Sequence, residues 1–209
     1  MENEKLKTGT TTIGIVYNNG VILAADMRAT AGYLVVDKNV SKVQKINDRM
    51  AITTAGSVSD IQLIHKLIKA EIKLKEIRTN REVLVKEAAN LLGGILYSQI
   101  RNFFPGIAHF LLGGADHTGI FLYDLYPDGS ISKKEDYIAS GSGSVFALGV
   151  LEANYRKDLS LNEAKELAIK AVNAALQRDI ASGNGITLMA ITKEGVKELG
   201  EKHVDLSLK

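Results

Sequence analysis

The residue pair Gly9-Thr10, close to the start of the chain, is where chemistry is most readily written. Cleavage of that bond would leave Thr10 with a nucleophilic Oγ and a free α-amine on one residue. An α-amine titrates near ~7.7 to 8.0, so much of it is uncharged and basic at neutral pH. The other reading of Thr10, Thr11 and Thr12 is an edge strand, because threonine favours pleated surfaces. A hydroxyl is a weak nucleophile until a base takes its proton or a cation stabilises the alkoxide. Lys42, just ahead of a strand-like run, is the candidate cation. Asp26, which ends an apolar run, can pair with that ammonium and fix its position. Each also fits a solvated surface or turn residue. The oxyanion of acyl transfer needs a backbone N–H at a strand-to-helix turn with no side chain in the way. Gly56 lies at such a junction, where a plain turn glycine is the alternative. Asp179 falls at the C-terminal end of a predicted helix and so faces the negative end of its dipole. It is compensated either by hydrogen bonds from the Thr10 amine and hydroxyl or from Ser142, with Ser182 joining the network, or by Arg178 alone. His65, His109, His117 and His203 show no paired metal-ligand spacing, so no metal is assigned; His65 is read as a packed or exposed helix residue.

These residues need a scaffold, and the bulk properties bound it. The chain has 209 residues, 45% hydrophobic and 24% charged, with two prolines. That is enough for one globular domain with a sizeable core, and it excludes a disordered or collagen-like chain. A formal charge of +2 leaves no electrostatic footprint for nucleic acid. The absence of cysteine excludes disulfides, zinc–thiolate sites and a Cys nucleophile, and fits an intracellular protein. Residues 1–9 are too short and too charged for a signal peptide and read as a removable cap. No apolar run reaches membrane-spanning length.

Residues 13–17 and 21–25, separated by Asn18-Asn19-Gly20, predict a hairpin closed by a type I′ turn. The second run is apolar without alternation, as expected for a strand covered on both faces. A further strand pair is expected from 33–36 and from 43–46 leading into 50–54. From Ser59 the period changes: Ile61, Ile64, Ile68 and Ile72, with Leu67 beside them, form one helix face. The capping box Thr79-Asn80-Arg81-Glu82 opens a second helix over 83–101, in which Gly93-Gly94 marks close approach of a neighbour. Strands return at 109–112 and 119–124, joined through the Tyr126-Pro127-Asp128-Gly129 turn to another hairpin, and again at 137–140. Gly141-Ser142-Gly143-Ser144 leads into a helical segment through Tyr155. A second capping box, Ser160-Leu161-Asn162-Glu163, opens a helix ending near Asp179, with Ala164, Leu167, Ala168, Ala171, Val172 and Ala175 as its buried stripe. A hairpin of 186–192 and 196–199 closes the chain. Two antiparallel sheets flanked by helix pairs would bury these strands on both faces.

Gly9-Thr10-Thr11-Thr12, Asp26-Met27-Arg28, Lys42, Ala55-Gly56, Gly141-Ser142-Gly143-Ser144 and Gln177-Arg178-Asp179-Ile180-Ala181-Ser182-Gly183 together resemble the proteasome β subunit family, in its archaeal single-type form. The likeness runs nearly end to end. It implies an α+β fold, the four-layer αββα sandwich of N-terminal nucleophile hydrolases, with residues 1–9 as a propeptide removed autocatalytically and 10–209 as a single domain. By the same resemblance Thr10 is the catalytic threonine exposed by autolysis after Gly9, and Lys42 as ammonium lowers the hydroxyl's pKa. Asp26 orients Lys42, the Gly56 N–H holds the oxyanion, and Ser142, Asp179 and Ser182 surround the free amine. Whether Lys42, the α-amine or a water carries the proton stays open. Ala29, Val40, Thr54 and Val58 match the pocket for the residue before the cut, which implies an apolar preference there, with the Thr54 hydroxyl as its weak point.

The implied reaction is hydrolysis of peptide bonds in unfolded proteins through an ester on Thr10, without a cofactor. The implied setting is the cytoplasm: stacked heptameric rings with proteasome α subunits and other β subunits, fed by a regulatory ATPase through the α ring, with no nucleic acid and no membrane. Two alternatives remain: a catalytically silent structural ring subunit, and a two-ring peptidase like bacterial HslV.

Overall fold

The computed structural model describes residues 9–101 and 108–203, except for the His203 side chain. Residues 1–8 of the expected propeptide and the last six residues lie outside the described part. Among the described residues, twelve strands and four helices follow in the expected order of strands, helix pair, strands, helix pair, strands. The strands are β1 (Thr12–Tyr17), β2 (Gly20–Asp26), β3 (Ala29–Ala31), β4 (Leu34–Asp37), β5 (Val43–Lys45), β6 (Met50–Gly56), β7 (Ala108–Asp116), β8 (Gly119–Leu125), β9 (Ile131–Lys134), β10 (Tyr137–Ser140), β11 (Gly185–Thr192) and β12 (Gly195–His203). The helices are α1 (Val58–Thr79), α2 (Val85–Ile100), α3 (Ser144–Asn154) and α4 (Leu161–Leu176).

Two five-stranded antiparallel sheets form, in the orders β10-β1-β2-β11-β12 and β5-β6-β7-β8-β9. The side chains of β2 explain why they stack. Val21, Leu23 and Ala25 point inward and meet Val43, Ala51, Leu111 and Leu122 of the second sheet. Ile22 and Ala24 point outward, where the α4 stripe Ala164, Leu167, Ala168, Ala171 and Val172 covers them. Ile61, Ile64, Ile68 and Ile72 of α1 seal the far side of the second sheet against Met50, Ile52, Phe110 and Leu112. Each fully buried aliphatic side chain contributes about 1.5–3 kcal/mol relative to exposure. A strand apolar at every position therefore has two partners, and the order helix, sheet, sheet, helix follows.

Several local expectations are corrected. The β1–β2 hairpin forms, but neither Asn18 nor Asn19 has a positive φ, so its turn is not type I′. Gly20 is required for space: a Cβ there would lie 2.3 Å from the Ile191 carbonyl oxygen. Residues 33–36 do not join the second sheet. β4 pairs with β3 in a separate two-stranded hairpin that leaves Tyr33 and Leu34 exposed, whereas β5 pairs with β6. Leu67 is 39% exposed, because the four isoleucines already fill the buried face of α1. Thr79 caps nothing at its own box; it ends α1, its hydroxyl donating to the Lys75 carbonyl (2.8 Å), and Asn80 closes the helix at φ 50. The second helix starts later, where the Glu87 carboxylate accepts from the Leu84 N–H (3.0 Å). Of the glycine pair in α2, only Gly93 meets a neighbour, Ile131 of β9; Gly94 faces open space. The Ser160–Glu163 capping box forms in full, and its helix ends at Leu176, three residues before Asp179.

Candidate active site

The site lies at one end of the sheet stack, and register explains how distant residues arrive there. Thr12 pairs with Ser140 of β10 and with Ala25 of β2, so the segment before Thr12 runs beside the β10 terminus and Asp26. Ile186 pairs with Asp26, which brings the α4–β11 connection to the same edge. From the second sheet, the Thr54 N–H donates to the Lys42 carbonyl (2.9 Å), placing Lys42 beside the end of β6.

Asp26 is fully buried and accepts four hydrogen bonds. Its Oδ1 takes the Thr11 N–H (2.9 Å) and Lys42 Nζ (2.7 Å), and its Oδ2 takes the Arg28 and Gly183 N–H groups (3.0 Å each). A buried carboxylate is tolerated when its lone pairs are occupied in this way. Lys42 is 5% exposed. Burial pushes its pKa below the ordinary lysine value, against the pull of Asp26, and the nearby Arg28 charge pushes the same way. The deprotonated amine is therefore more accessible than in water.

Thr10 is 6% exposed. Across the uncut bond its Oγ donates to the Gly9 carbonyl oxygen (2.6 Å), and its N–H donates to Ser142 Oγ (3.1 Å). Ser142 in turn donates to Asp179 Oδ2 (2.6 Å), as does Ser182 (2.6 Å), and the Ala181 N–H meets Asp179 Oδ1 (3.2 Å). Of the partners expected for Asp179, the serines are present. The Thr10 amide reaches Asp179 only through Ser142, and among the described residues Arg178 makes no ion pair with it. Gly141, at φ 89, brings the turn so close that a Cβ would lie 2.0 Å from the Thr10 carbonyl oxygen.

Gly56 ends β6 with φ 128, immediately before α1, at the expected strand-to-helix junction. Ala29, Val40 and Thr54 line the same end. The Val40 N–H donates to the Met27 carbonyl (2.9 Å), and the Thr54 hydroxyl donates to the Lys42 carbonyl (3.4 Å). Val58, the first residue of α1, is 53% exposed. Among the described residues no group of three His, Cys, Asp or Glu side chains could hold a metal, and no helix is long and apolar enough to cross a membrane.

Sequence reasoning passed over several neighbours. Thr11 joins Ser182 through their hydroxyls (2.7 Å). Arg28 pins the 180–184 loop, with Nε on Asn184 Oδ1 (2.8 Å) and Nη1 on the Ile180 carbonyl (2.9 Å). Thr30 Oγ accepts the Gly9 N–H (3.2 Å). His109 bridges the two sheets, its Nε2 on Asp124 Oδ1 (2.6 Å) and its Nδ1 on Oγ of Ser140 (2.9 Å), the residue just before the Gly141–Ser142 turn. His65, by contrast, is a half-buried helix residue. Arg28 was visible in the Asp26-Met27-Arg28 motif; the Thr30, His109 and Ser140 contacts carried no local signal.

Two antiparallel sheets face to face, a helix pair outside each, and a threonine leading the first central strand define the αββα sandwich of N-terminal nucleophile hydrolases. Comparison with known proteins narrows this. Residues 6–191 match the family described as Proteasome subunit, and the chain belongs to that family. It is similar to the proteasome subunit beta of Methanopyrus kandleri, 45% identical over 205 residues that span 98% of this chain and 97% of that one. It is similar also to the proteasome subunit beta of Ferroglobus placidus, 44% identical over 208 residues (100% and 98%), and of Methanocaldococcus fervens, 44% over 198 residues (94% and 88%).

Proposed function

We propose that this chain is a threonine-type endopeptidase, the catalytic β subunit of a proteasome core, and that it makes its own nucleophile by cutting Gly9-Thr10. In the first reaction Thr10 Oγ adds to the Gly9 carbonyl and the C–N bond breaks. The Thr10 nitrogen takes up the proton as a free amine, and water hydrolyses the resulting ester to release residues 1–9 as a carboxylate. In the second reaction the same Oγ acylates on a substrate peptide bond, the downstream amine leaves, and water again frees Thr10. Lys42, with its pKa held down by burial and its position held by Asp26, serves proton transfer. Ser142 and Asp179 hold the nitrogen, which is an amide before the cut and an amine after it. The Gly56 N–H receives the oxyanion.

The observation that carries this reading is the convergence on Thr10: its hydroxyl lies 2.6 Å from the carbonyl oxygen of the bond to be cut, and its nitrogen is linked through Ser142 to Asp179, with the Asp26–Lys42 pair one residue away. The partners are α subunits and other β subunits in stacked heptameric rings in the cytoplasm, with a regulatory ATPase delivering unfolded chains. The test is the intact mass of the chain within the assembled particle, taken together with hydrolysis of a fluorogenic peptide. Loss of residues 1–9 and turnover are expected together. Turnover with Met1 still attached would overturn the mechanism, and persistence of the leader without turnover would assign a structural ring subunit. Electron micrographs showing two rings would favour an HslV-like particle.

The pocket for the residue before the cut is formed by Ala29, Val40, Thr54 and Val58. The Thr54 hydroxyl donates to the Lys42 carbonyl (3.4 Å), so its hydrogen is engaged within the chain. Across a peptide series varied only at that residue, kcat/KM should be highest for apolar side chains. Highest efficiency with Arg, Lys, Asp or Glu there would remove the apolar assignment.

A further inference from the structure

The bond between Gly9 and Thr10 has a feature that the catalytic residues do not account for. Gly9 is buried, its N–H on Thr30 Oγ and its carbonyl accepting from Thr10 Oγ. A Cβ placed on Gly9 would lie 1.7 Å from the Ala181 Cβ, 3.0 Å from the Ala181 Cα and 3.0 Å from Ser142 Oγ. A methyl carbon cannot swing aside as the end of a long side chain can, so relief would require the backbone at Ala181 to move. That backbone is tied on both flanks to the site. The Ala181 N–H is on Asp179, the Gly183 N–H is on Asp26, the Ile180 carbonyl and the Asn184 side chain are on Arg28, and the Gly183 carbonyl is on the Met27 N–H.

We propose that Ala181 is the specificity-determining residue for self-processing: its methyl group occupies the space a side chain before the cut would need, and so restricts the bond that can be cut in place to one preceded by glycine. This rests on the reading of Gly9-Thr10 as the processed bond. Substrates arriving from outside carry side chains at that position, and these must point away from Ala181, toward Ala29, Val40, Thr54 and Val58. Processing and turnover thus share a nucleophile but have separate steric filters. The loop could retreat to admit a larger residue only by giving up its bonds to Asp26, Arg28 and Asp179.

The test is a set of full-length chains, each assembled with its partner subunits and followed by intact mass for loss of the leader. Gly9→Ala should slow processing by about 100-fold or more, and Gly9→Ala with Ala181→Gly should recover ~10-fold or more of that loss, incompletely because the Ala181 Cα and Ser142 Oγ remain close. Ala181→Gly alone should process normally and keep the parent's peptide preference. Ala181→Val gives an independent arm: it should slow cutting of the unaltered Gly9-Thr10 bond, yet leave peptide turnover intact in a chain whose leader has been removed by an added protease site. A double variant as slow as Gly9→Ala would overturn the proposal, as would an Ala181→Val chain whose processing is unimpaired or whose turnover falls as much as its processing. If the unaltered chain keeps its leader in the assembled particle, the processing reading itself fails whatever Ala181 does.

Discussion

Thr10→Ala should leave residues 1–9 attached and lower peptide hydrolysis by roughly 10^4-fold or more, because in the proposed mechanism one hydroxyl both cuts the leader and is acylated by substrate. The nearest hydroxyls are already engaged: Ser142 Oγ and Ser182 Oγ both donate to Asp179, and Thr11 Oγ is bonded to Ser182 Oγ. Expressing the Thr10→Ala variant from position 10 onward, with the leader already gone, should not restore turnover. Thr10→Ser, which keeps the oxygen, should retain measurable processing. Intact mass and fluorogenic peptide hydrolysis on the same assembled sample report the two reactions separately. Leader loss at the parent rate in Thr10→Ala would show that another group cuts the chain.

Asp26→Ala has the second largest expected effect, and it acts on stability as well as rate. The carboxylate accepts from three backbone N–H groups and from Lys42 Nζ, all buried or partly buried. Removing it strands those donors and leaves Lys42 without its nearest opposite charge. Breaking one side of a buried ion pair costs about 3 to 5 kcal/mol. Lys42, its pKa already pushed down by burial, then sheds its proton rather than stay charged, and loses its fixed position. Processing and turnover should both fall by roughly 10^3-fold, since orientation and electrostatic preorganisation are lost together. Adding Lys42→Met to Asp26→Ala removes the stranded amine and should recover part of the stability, though none of the activity. Denaturant unfolding of the three chains provides the comparison. A single variant as stable as the parent, or a double variant less stable than the single, would mean that the pair is not the structural unit described.

Periodicity was sufficient for the architecture because burial imposes it residue by residue. A run such as residues 21–25 is apolar on both faces only if both faces are covered. The isoleucines of α1 and the alanine-rich stripe of α4 likewise name their own buried sides. The local misreadings occurred where one motif suits two positions. Thr79-Asn80 reads as a helix start but serves as a helix stop, since Asn80 tolerates a positive φ, and Gly94 looks like a packing glycine yet a Cβ there would meet none of the described residues.

Residue types along the chain were enough to single out its chemically distinctive groups: a threonine behind a glycine, a lysine and an aspartate at strand ends, and a serine-flanked carboxylate past a helix terminus. Which atoms meet emerged with the folded chain alone, because the hydrogen bonds of the site join positions 132, 157 and 171 residues apart and depend on strand register, which no local pattern encodes. That register placed Ser142 rather than Asp179 on the Thr10 nitrogen, Thr30 on the Gly9 N–H, and the Ala181 methyl group in the space a Cβ on residue 9 would need.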